Sequence, residues 1–518
     1  MELWCIIIVT TFIAALVAYL TLNSKPNSKK LPPGPQTIPI VTIIIWLRRS
    51  FVESQAALRA LSSKFGPIVT LSSSPSRPVI FIFDGALAYQ ALVQKGSLFA
   101  DRPKPLHIPK IISSNQHTIT LAGYGPLWHL LRRNLTSMIL HPARIMDFHS
   151  ARKWVLNIHL NRLRTSSGAG PVKVVDHFQF SMFHLLVVMC FGDKMEESQI
   201  EEIKAAFQEL LASLFSRFRV LNFRQAWLTR ILFRGRWNEF YKLKKKQEDL
   251  LIPYIRKQIS RTKSESTCYL DTLLTLEIPC GTNESITSGT RKLNEEELVS
   301  LCFEFLNAGT DTTSTTLQWI MANLVKYPNI QYKLFEEIKG VVGEVATEVR
   351  EDALSKMPYL KAVVLEGLRR HPPGHFVLPH SVTQEAELGG YKIPKNASIN
   401  FAVAEMGWDS EVWEDPMMFK PERFMGMIMD RDINLEEFDM IGFGSHEIKM
   451  MPFGAGRRIC PGRGLALLHL EYFVANLVWN FEWKAIEGDE VDLAEKQEFT
   501  IVMKHPLHTQ ISPRQAMC

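Results

Sequence analysis

Phe453-Gly454-Ala455-Gly456-Arg457-Arg458-Ile459-Cys460-Pro461-Gly462 sets one cysteine among glycines and arginines, just ahead of an apolar helical run. The glycines let the backbone bend sharply and approach a flat ligand closely. Backbone N–H groups and the start of the next helix favour negative charge on sulfur, which predicts a lowered thiol pKa. Arg458 is placed to pair with a carboxylate of such a ligand. A lone cysteine is usually a small buried hydrophobe, but these surroundings suit a thiolate that holds an iron.

The spacing Phe-x-x-Gly-x-Arg-x-Cys-x-Gly resembles the haem-binding loop of the cytochrome P450 family at every fixed position. The resemblance runs from Leu31 to about Pro506. It implies a mainly α fold with small β-sheets, as one large haem domain over residues 36–518. It implies haem b as cofactor, with Cys460 as the axial ligand of its iron; thiolate ligation favours O–O cleavage. No other metal is suggested. Gln318-Trp319-Ile320-Met321-Ala322-Asn323 and Lys449-Met450-Met451-Pro452-Phe453 resemble plant microsomal A-type members, most of all family eighty-nine, subfamily A.

The 518 residues carry a net charge of +6, and 46% are hydrophobic, ample for a large core. The modest charge and the lack of an interleaved basic and aromatic stripe argue against nucleic acid as a partner. No low-complexity linker divides the body. Cys5, Cys190, Cys268, Cys280, Cys302, Cys460 and Cys518 are scattered, without disulfide or zinc spacing. Reduced thiols and a cytosolic face are expected.

Leu3 to Leu22 contains no charged residue, enough for the ~20 residues that cross a bilayer as a helix. Lys25, Lys29 and Lys30 follow and place the body on the cytosolic side. Met1-Glu2 and Tyr19-Leu20-Thr21-Leu22 are poor signal-peptide features, so residues 1–22 are expected to be an uncleaved anchor. A basic, proline-rich hinge is expected over residues 23–35, ending in Leu31-Pro32-Pro33-Gly34-Pro35. Ile40 to Leu47 is apolar but too short to span, and it replaces the glycine turn usual in the family.

Asn294 with Glu295, Glu296 and Glu297 predicts a helix start, and an apolar run continues to about Val325 before Pro328. Its middle, Ala308-Gly309-Thr310-Asp311-Thr312-Thr313, is poor helix sequence. Read alone it is an ordinary polar cluster. About 150 residues ahead of Cys460 it resembles the family's oxygen-activation motif. That implies a widened turn in which Ala308 and Gly309 leave room for O2 while Asp311 and Thr312 deliver protons.

Glu366 and Arg369 lie three apart on one helix face. By resemblance they form a buried structural triad with Arg423 of Pro421-Glu422-Arg423-Phe424. Trp128 and Arg132, four apart, match the family's Trp-x-x-x-Arg pair for a haem propionate, with Arg133 as a fallback and His129 where relatives commonly have arginine. His380 in Leu378-Pro379-His380 and Arg458 are the other implied propionate contacts. A β-hairpin is expected from Val69 to Phe83. Phe99-Ala100-Asp101-Arg102-Pro103 resembles the entry to a loop that covers substrate. A mobile link is expected within Ser264 to Leu293, and Asn134, Asn283 and Asn396 open sequons that a cytosolic face leaves bare.

The implied protein is an endoplasmic-reticulum monooxygenase, single-pass and facing the cytosol. It would insert one oxygen atom into a lipophilic small molecule, with electrons from NADPH-cytochrome P450 reductase. The alternatives are a haem-thiolate enzyme of dehydration, isomerisation or coupling, and a non-catalytic haem-binding membrane protein.

Overall fold

The computed structural model describes residues 31–35, 51–71, 78–168, 170–222, 226–260, 268–280, 289–429 and 446–514. The expected anchor 1–22, the run 40–47, hinge residues 23–30 and Asn283 lie outside them. The described residues group into two units, each drawn from three stretches of chain. The first falls within Met1–Pro103, Phe376–Met406 and Met440–Arg458, the second within Lys104–His375, Gly407–Asp439 and Ile459–Cys518. The two alternate along the sequence, so no linker separates them.

The first unit holds a four-stranded sheet. β1 (Ile68–Leu71) and β2 (Val79–Ile82) pair antiparallel as the expected hairpin, with Ile68 opposite Ile82. β3 (His380–Ser381) and β4 (Ser398–Phe401) complete the order β1-β2-β4-β3. β2 and β4 run parallel, Val79 opposite Ser398. Ile80, Ile82, Ile399 and Phe401 alternate into a buried cluster with Leu92, Phe99 and Val382. At the end of the hinge, the Pro33 carbonyl accepts the Thr70 N–H at 2.8 Å.

The second unit is mainly helical. Five helices carry the site: α1 (Pro126–Met138), α2 (Val174–Phe191), α3 (Glu295–Lys326), α4 (Pro358–Arg370) and α5 (Arg463–Asn480). α3 begins as predicted, with Asn294 and Glu297 forming a reciprocal capping box. It runs unbroken to Lys326, and Pro328 opens the next helix. The expected widened turn is absent. Hydroxyls stitch the weak middle instead: Thr310, Thr312, Ser314 and Thr316 each donate to the carbonyl four residues back, at 2.6 to 2.8 Å.

α2 is apolar on nearly every face. It is long and apolar enough to cross a membrane, yet 78% of it is buried inside the protein, where it packs along α3. Such a helix belongs to the core. Within the expected mobile link, Tyr269–Leu274 is a helix burying Tyr269, Leu270 and Leu273, and Glu277–Pro279 pairs with Thr290–Lys292. The apolar spacing there overrides the Ser/Thr-rich flanks.

Candidate active site

The glycine loop is shaped in the first unit. Gly454 and Gly456 have φ of +70° and +67°. A Cβ on Gly456 would lie 1.9 Å from the Leu92 carbonyl oxygen, so only glycine fits. A short turn, Gly456–Arg458, leads to Cys460, which stands in the second unit ahead of α5.

Arg132 Nη2 donates to the Ile459 carbonyl at 2.6 Å and ties α1 to the chain beside Cys460. Burial pushes the Cys460 thiol up, against the Gly462 N–H and the charges of Arg132 and Arg463, which lower it. The net direction is opposite to the sequence expectation. The motif displays the groups that favour thiolate but not how far the sulfur is withdrawn from water. Burial also lowers the Arg132 pKa, with Cys460 opposing it. A Cβ on Gly462 would rest 3.9 Å from the sulfur, an ordinary van der Waals contact.

Arg369 Nε and Nη2 donate to Glu366 Oε2 and Oε1 at 2.7 and 2.8 Å, and Arg423 Nε reaches Oε1 at 3.1 Å. The Lys420 N–H adds a 2.8 Å bond to Oε1, and Arg369 Nη1 donates to the Gly407 carbonyl at 2.6 Å. Glu366 and Arg369 are fully buried. The carboxylate is thus satisfied by two guanidinium groups and an amide.

α3 is buried along most of its length but leaves one strip open: Glu304, Ala308, Asp311 and Thr312, spaced a turn apart. Ala308 is exposed and the other three are half-buried. Burial raises the Asp311 pKa to about 6, with Glu498 adding to the rise. Thr312 Oγ1 donates to the Ala308 carbonyl at 2.6 Å. Gly309 has a different reason from the expected room for O2: a Cβ there would lie 2.7 Å from Leu186 Cδ1, so the glycine admits α2 against α3.

Trp128 is buried on α1, with the Arg132 guanidinium 5.4 Å from its ring centre; Arg133 is exposed. In the first unit, His380 Nδ1 bonds the Phe99 carbonyl at 2.6 Å and Arg458 Nε donates to the Ala100 carbonyl at 2.7 Å. Burial, with Arg102 and Arg458, lowers the His380 pKa to about 3. The neutral ring keeps its proton on Nδ1 for Phe99, which leaves Nε2 as an acceptor. His380 therefore donates to a carboxylate only as the imidazolium. Sequence reading missed Arg102, which holds the Leu378 and Pro379 carbonyls at 2.8 and 2.9 Å. It also missed Glu304, whose only signal was a charge inside an apolar helical run.

A buried sulfur with Arg132 and Arg463 near it, and Trp128 on the same helix as Arg132, suits a sulfur-held ligand that bears carboxylates. The family comparison agrees. A cytochrome P450 family model matches residues 32–512, and the chain belongs to that family. It is a P450 monooxygenase, of a family that uses haem-thiolate iron, a redox partner, O2 and a small-molecule substrate.

Within the family it is 48% identical over 519 residues to cytochrome P450 89A9 of Arabidopsis thaliana, covering 98% of this chain and 99% of the relative. This supports the plant 89A subfamily. Pluviatolide synthase of Podophyllum peltatum is 28% identical over 97% of this chain and 96% of its own. Strychnine-11-hydroxylase of Strychnos nux-vomica is 28% identical, again over 97% and 96%. A solved zebrafish cytochrome P450 with abiraterone shares the fold, with a TM-score of 0.70 at 22% identity over 88% of this chain and 98% of that one.

Proposed function

We propose that this chain is a membrane-anchored monooxygenase that inserts one atom of O2 into a lipophilic small molecule. The observation that carries this reading is the open strip Ala308-Asp311-Thr312 on an otherwise buried helix, in the unit that also holds Cys460. Cys460 would hold haem b, which would supply the activation of dioxygen. Trp128 and Arg132 would hold one propionate; Arg458 and His380 are assigned to propionates on the family resemblance alone.

The protein's own part is proton handling and exclusion of water. With a pKa of about 6, Asp311 is mostly ionised at pH 7, yet about a tenth of molecules carry the proton. It can take a proton from solvent and give one up without a large free-energy step. Thr312 spends its hydroxyl proton on the Ala308 carbonyl, so its oxygen presents lone pairs to a water or substrate group. Rotation about Cβ–Oγ turns that proton outward. By their names, one relative makes pluviatolide and another hydroxylates strychnine, which supports a small organic substrate here.

The uncharged run Leu3 to Leu22, followed by three lysines, supports a single-pass anchor in the endoplasmic reticulum with the body in the cytosol. Electrons would come from NADPH-cytochrome P450 reductase. The test supplies the protein with that reductase, NADPH, plant lipophilic extract and 18O2, and seeks products that carry one labelled atom by mass spectrometry. Labelled, NADPH-dependent product is expected. Cys460→Ala should lose the carbon-monoxide spectrum of thiolate-bound haem. Retention of that spectrum would overturn the ligand assignment.

A further inference from the structure

A short hairpin of the second unit, β5 (Glu495–Gln497) and β6 (Ile501–Met503), is bolted to α3. Thr500 Oγ1 lies 3.0 Å from Thr315 Oγ1, and Trp319 Nε1 donates to the Ile501 carbonyl at 2.8 Å. The Ile501 N–H reaches the Pro373 carbonyl, just past α4, at 2.9 Å. At the base of the hairpin Glu495 stands between two buried histidines, with Oε2 3.2 Å from His375 Nε2 and Oε1 3.5 Å from His371 Nδ1. The His371 ring stacks on Trp319, centres 4.1 Å apart.

Asp311, Thr315 and Trp319 follow one another at four-residue steps on one face of α3. Thr500 meets Thr315 and Ile501 meets Trp319, so the hairpin chain advances along that face in step with the helix. Followed back by one helical turn, the same course leads from Thr500 to Glu498 and from Thr315 to Asp311. The electrostatics agree. Burial is the main cause of the raised Asp311 pKa, and Glu498 is the neighbouring charge that adds to it.

The two acids differ in their access to water. The Glu498 side chain is 49% exposed and accepts from Lys496 Nζ at 2.7 Å, while Asp311 is withdrawn into the protein. The other acid of the strip, Glu304, is already spent: it accepts the Ile119 and Thr120 N–H groups at 2.9 and 2.7 Å.

We propose that Glu498 is the entry station for protons bound for Asp311, taking them from solvent at the hairpin tip and passing them inward. The proposal rests on Asp311 being the proton donor of the site, as argued above, and names the step before it. Each proton leaves hydronium, rests on the Glu498 carboxylate and moves to the Asp311 carboxylate, which returns Glu498 to its starting charge. An acid in contact with solvent exchanges protons freely, and an acid whose charge burial disfavours is a good place to receive one. Glu495 is a positioning residue: clasped by His371 and His375, it fixes the hairpin that presents Glu498.

The test uses the haem-loaded full chain. The infrared band of the protonated Asp311 carboxyl, isolated by subtracting the spectrum of Asp311→Asn, is titrated through pH 6 in wild type and Glu498→Gln. Removing the neighbouring negative charge should lower the midpoint by about half a unit. NADPH consumption with NADPH-cytochrome P450 reductase is then followed in H2O and D2O. Glu498→Gln should be slower by about threefold, with a larger solvent isotope effect. Glu498→Asp, which keeps the acid, should recover most of the rate. The melting temperature should hold in both variants, because the residue is exposed and its ion pair is a surface one.

An unmoved infrared midpoint overturns the placement of Glu498 beside Asp311, and the proposal with it. A lowered midpoint with unchanged rate and isotope effect overturns proton entry through Glu498. Labelled product is scored separately. Its absence while NADPH is still consumed counts against oxygen insertion and leaves the role of Glu498 decided by its own readouts.

Discussion

Glu366 and Asp311 are two acids withdrawn from water on helices of the same unit, and they are treated in opposite ways. Glu366 on α4 is fully buried and accepts from Arg369, Arg423 and the Lys420 amide. Asp311 on α3 is half-buried, and its principal charged neighbour, Glu498, is another acid that pushes its pKa further up, to about 6. A paired carboxylate is a scaffold element whose charge is fixed. An acid whose charge is costly keeps its proton within reach of neutral pH, as proton transfer requires. The contrast separates support from chemistry without reference to any ligand.

The largest effect should come from breaking the support. Glu366→Ala leaves two guanidinium groups around an empty place and should cost ~3–5 kcal/mol. Soluble yield and a denaturant titration would show it. If Glu366→Ala folds with wild-type stability, the division into scaffold and reactive acid fails.

The same kind of change at Asp311 should leave the fold alone. Asp311→Asn removes a charge that burial disfavours, so the melting temperature at pH 8 should hold or rise. Product formed per NADPH consumed should drop at least tenfold, at the low end of what a positioned acid contributes. The sign of the pH effect follows from the raised pKa. The contribution of Asp311 to stability is present below the unfolded value near 3.8 and is lost as pH rises through about 6. Because Asp311 itself changes charge near pH 6, wild-type turnover should also inflect there, and in Asp311→Asn that inflection should vanish.

Buried histidines give the opposite slope. His184 and His371 are held down to about 4, both chiefly by burial. Their neutral forms stabilise the fold fully above pH 6.5, and that stability is lost as pH falls from 6.5 toward 4. Scanning calorimetry across this range should show a falling melting temperature, with a shallower fall in His184→Phe. The smallest effect is expected at Gly309→Ala. The new methyl meets Leu186 and costs about 1–3 kcal/mol by overpacking, offset in part by up to ~1 kcal/mol of helix propensity. Leu186→Ala in the same chain should relieve the clash.

Sequence reading was strongest where the deciding residues are neighbours in the chain. Asn294 and Glu297 define the start of α3, two short apolar runs either side of a Ser/Pro turn define the β1–β2 hairpin, and the three-residue spacing of Glu366 and Arg369 places them where they pair. It was weakest where a residue answers to something distant. Gly309 is set by Leu186 on another helix, and Glu304 by amides 184 and 185 residues away. The Cys460 thiol is set by burial, which no short motif displays. The widened turn failed for a local reason: serine and threonine hydroxyls satisfy the helix from within.

The parallel pairing of β2 with β4 also bears on how the chain is made. Val79 waits for Ser398, and synthesis at ~5–20 residues per second puts about 15–60 s between them. Through that interval one edge of the first hairpin has no strand to pair with, and unpaired edges invite wrong partners. The helices of the second unit up to His375 emerge meanwhile. The order of translation thus leaves the first unit to close late, and protection of that edge during synthesis becomes a condition for a good yield of folded protein.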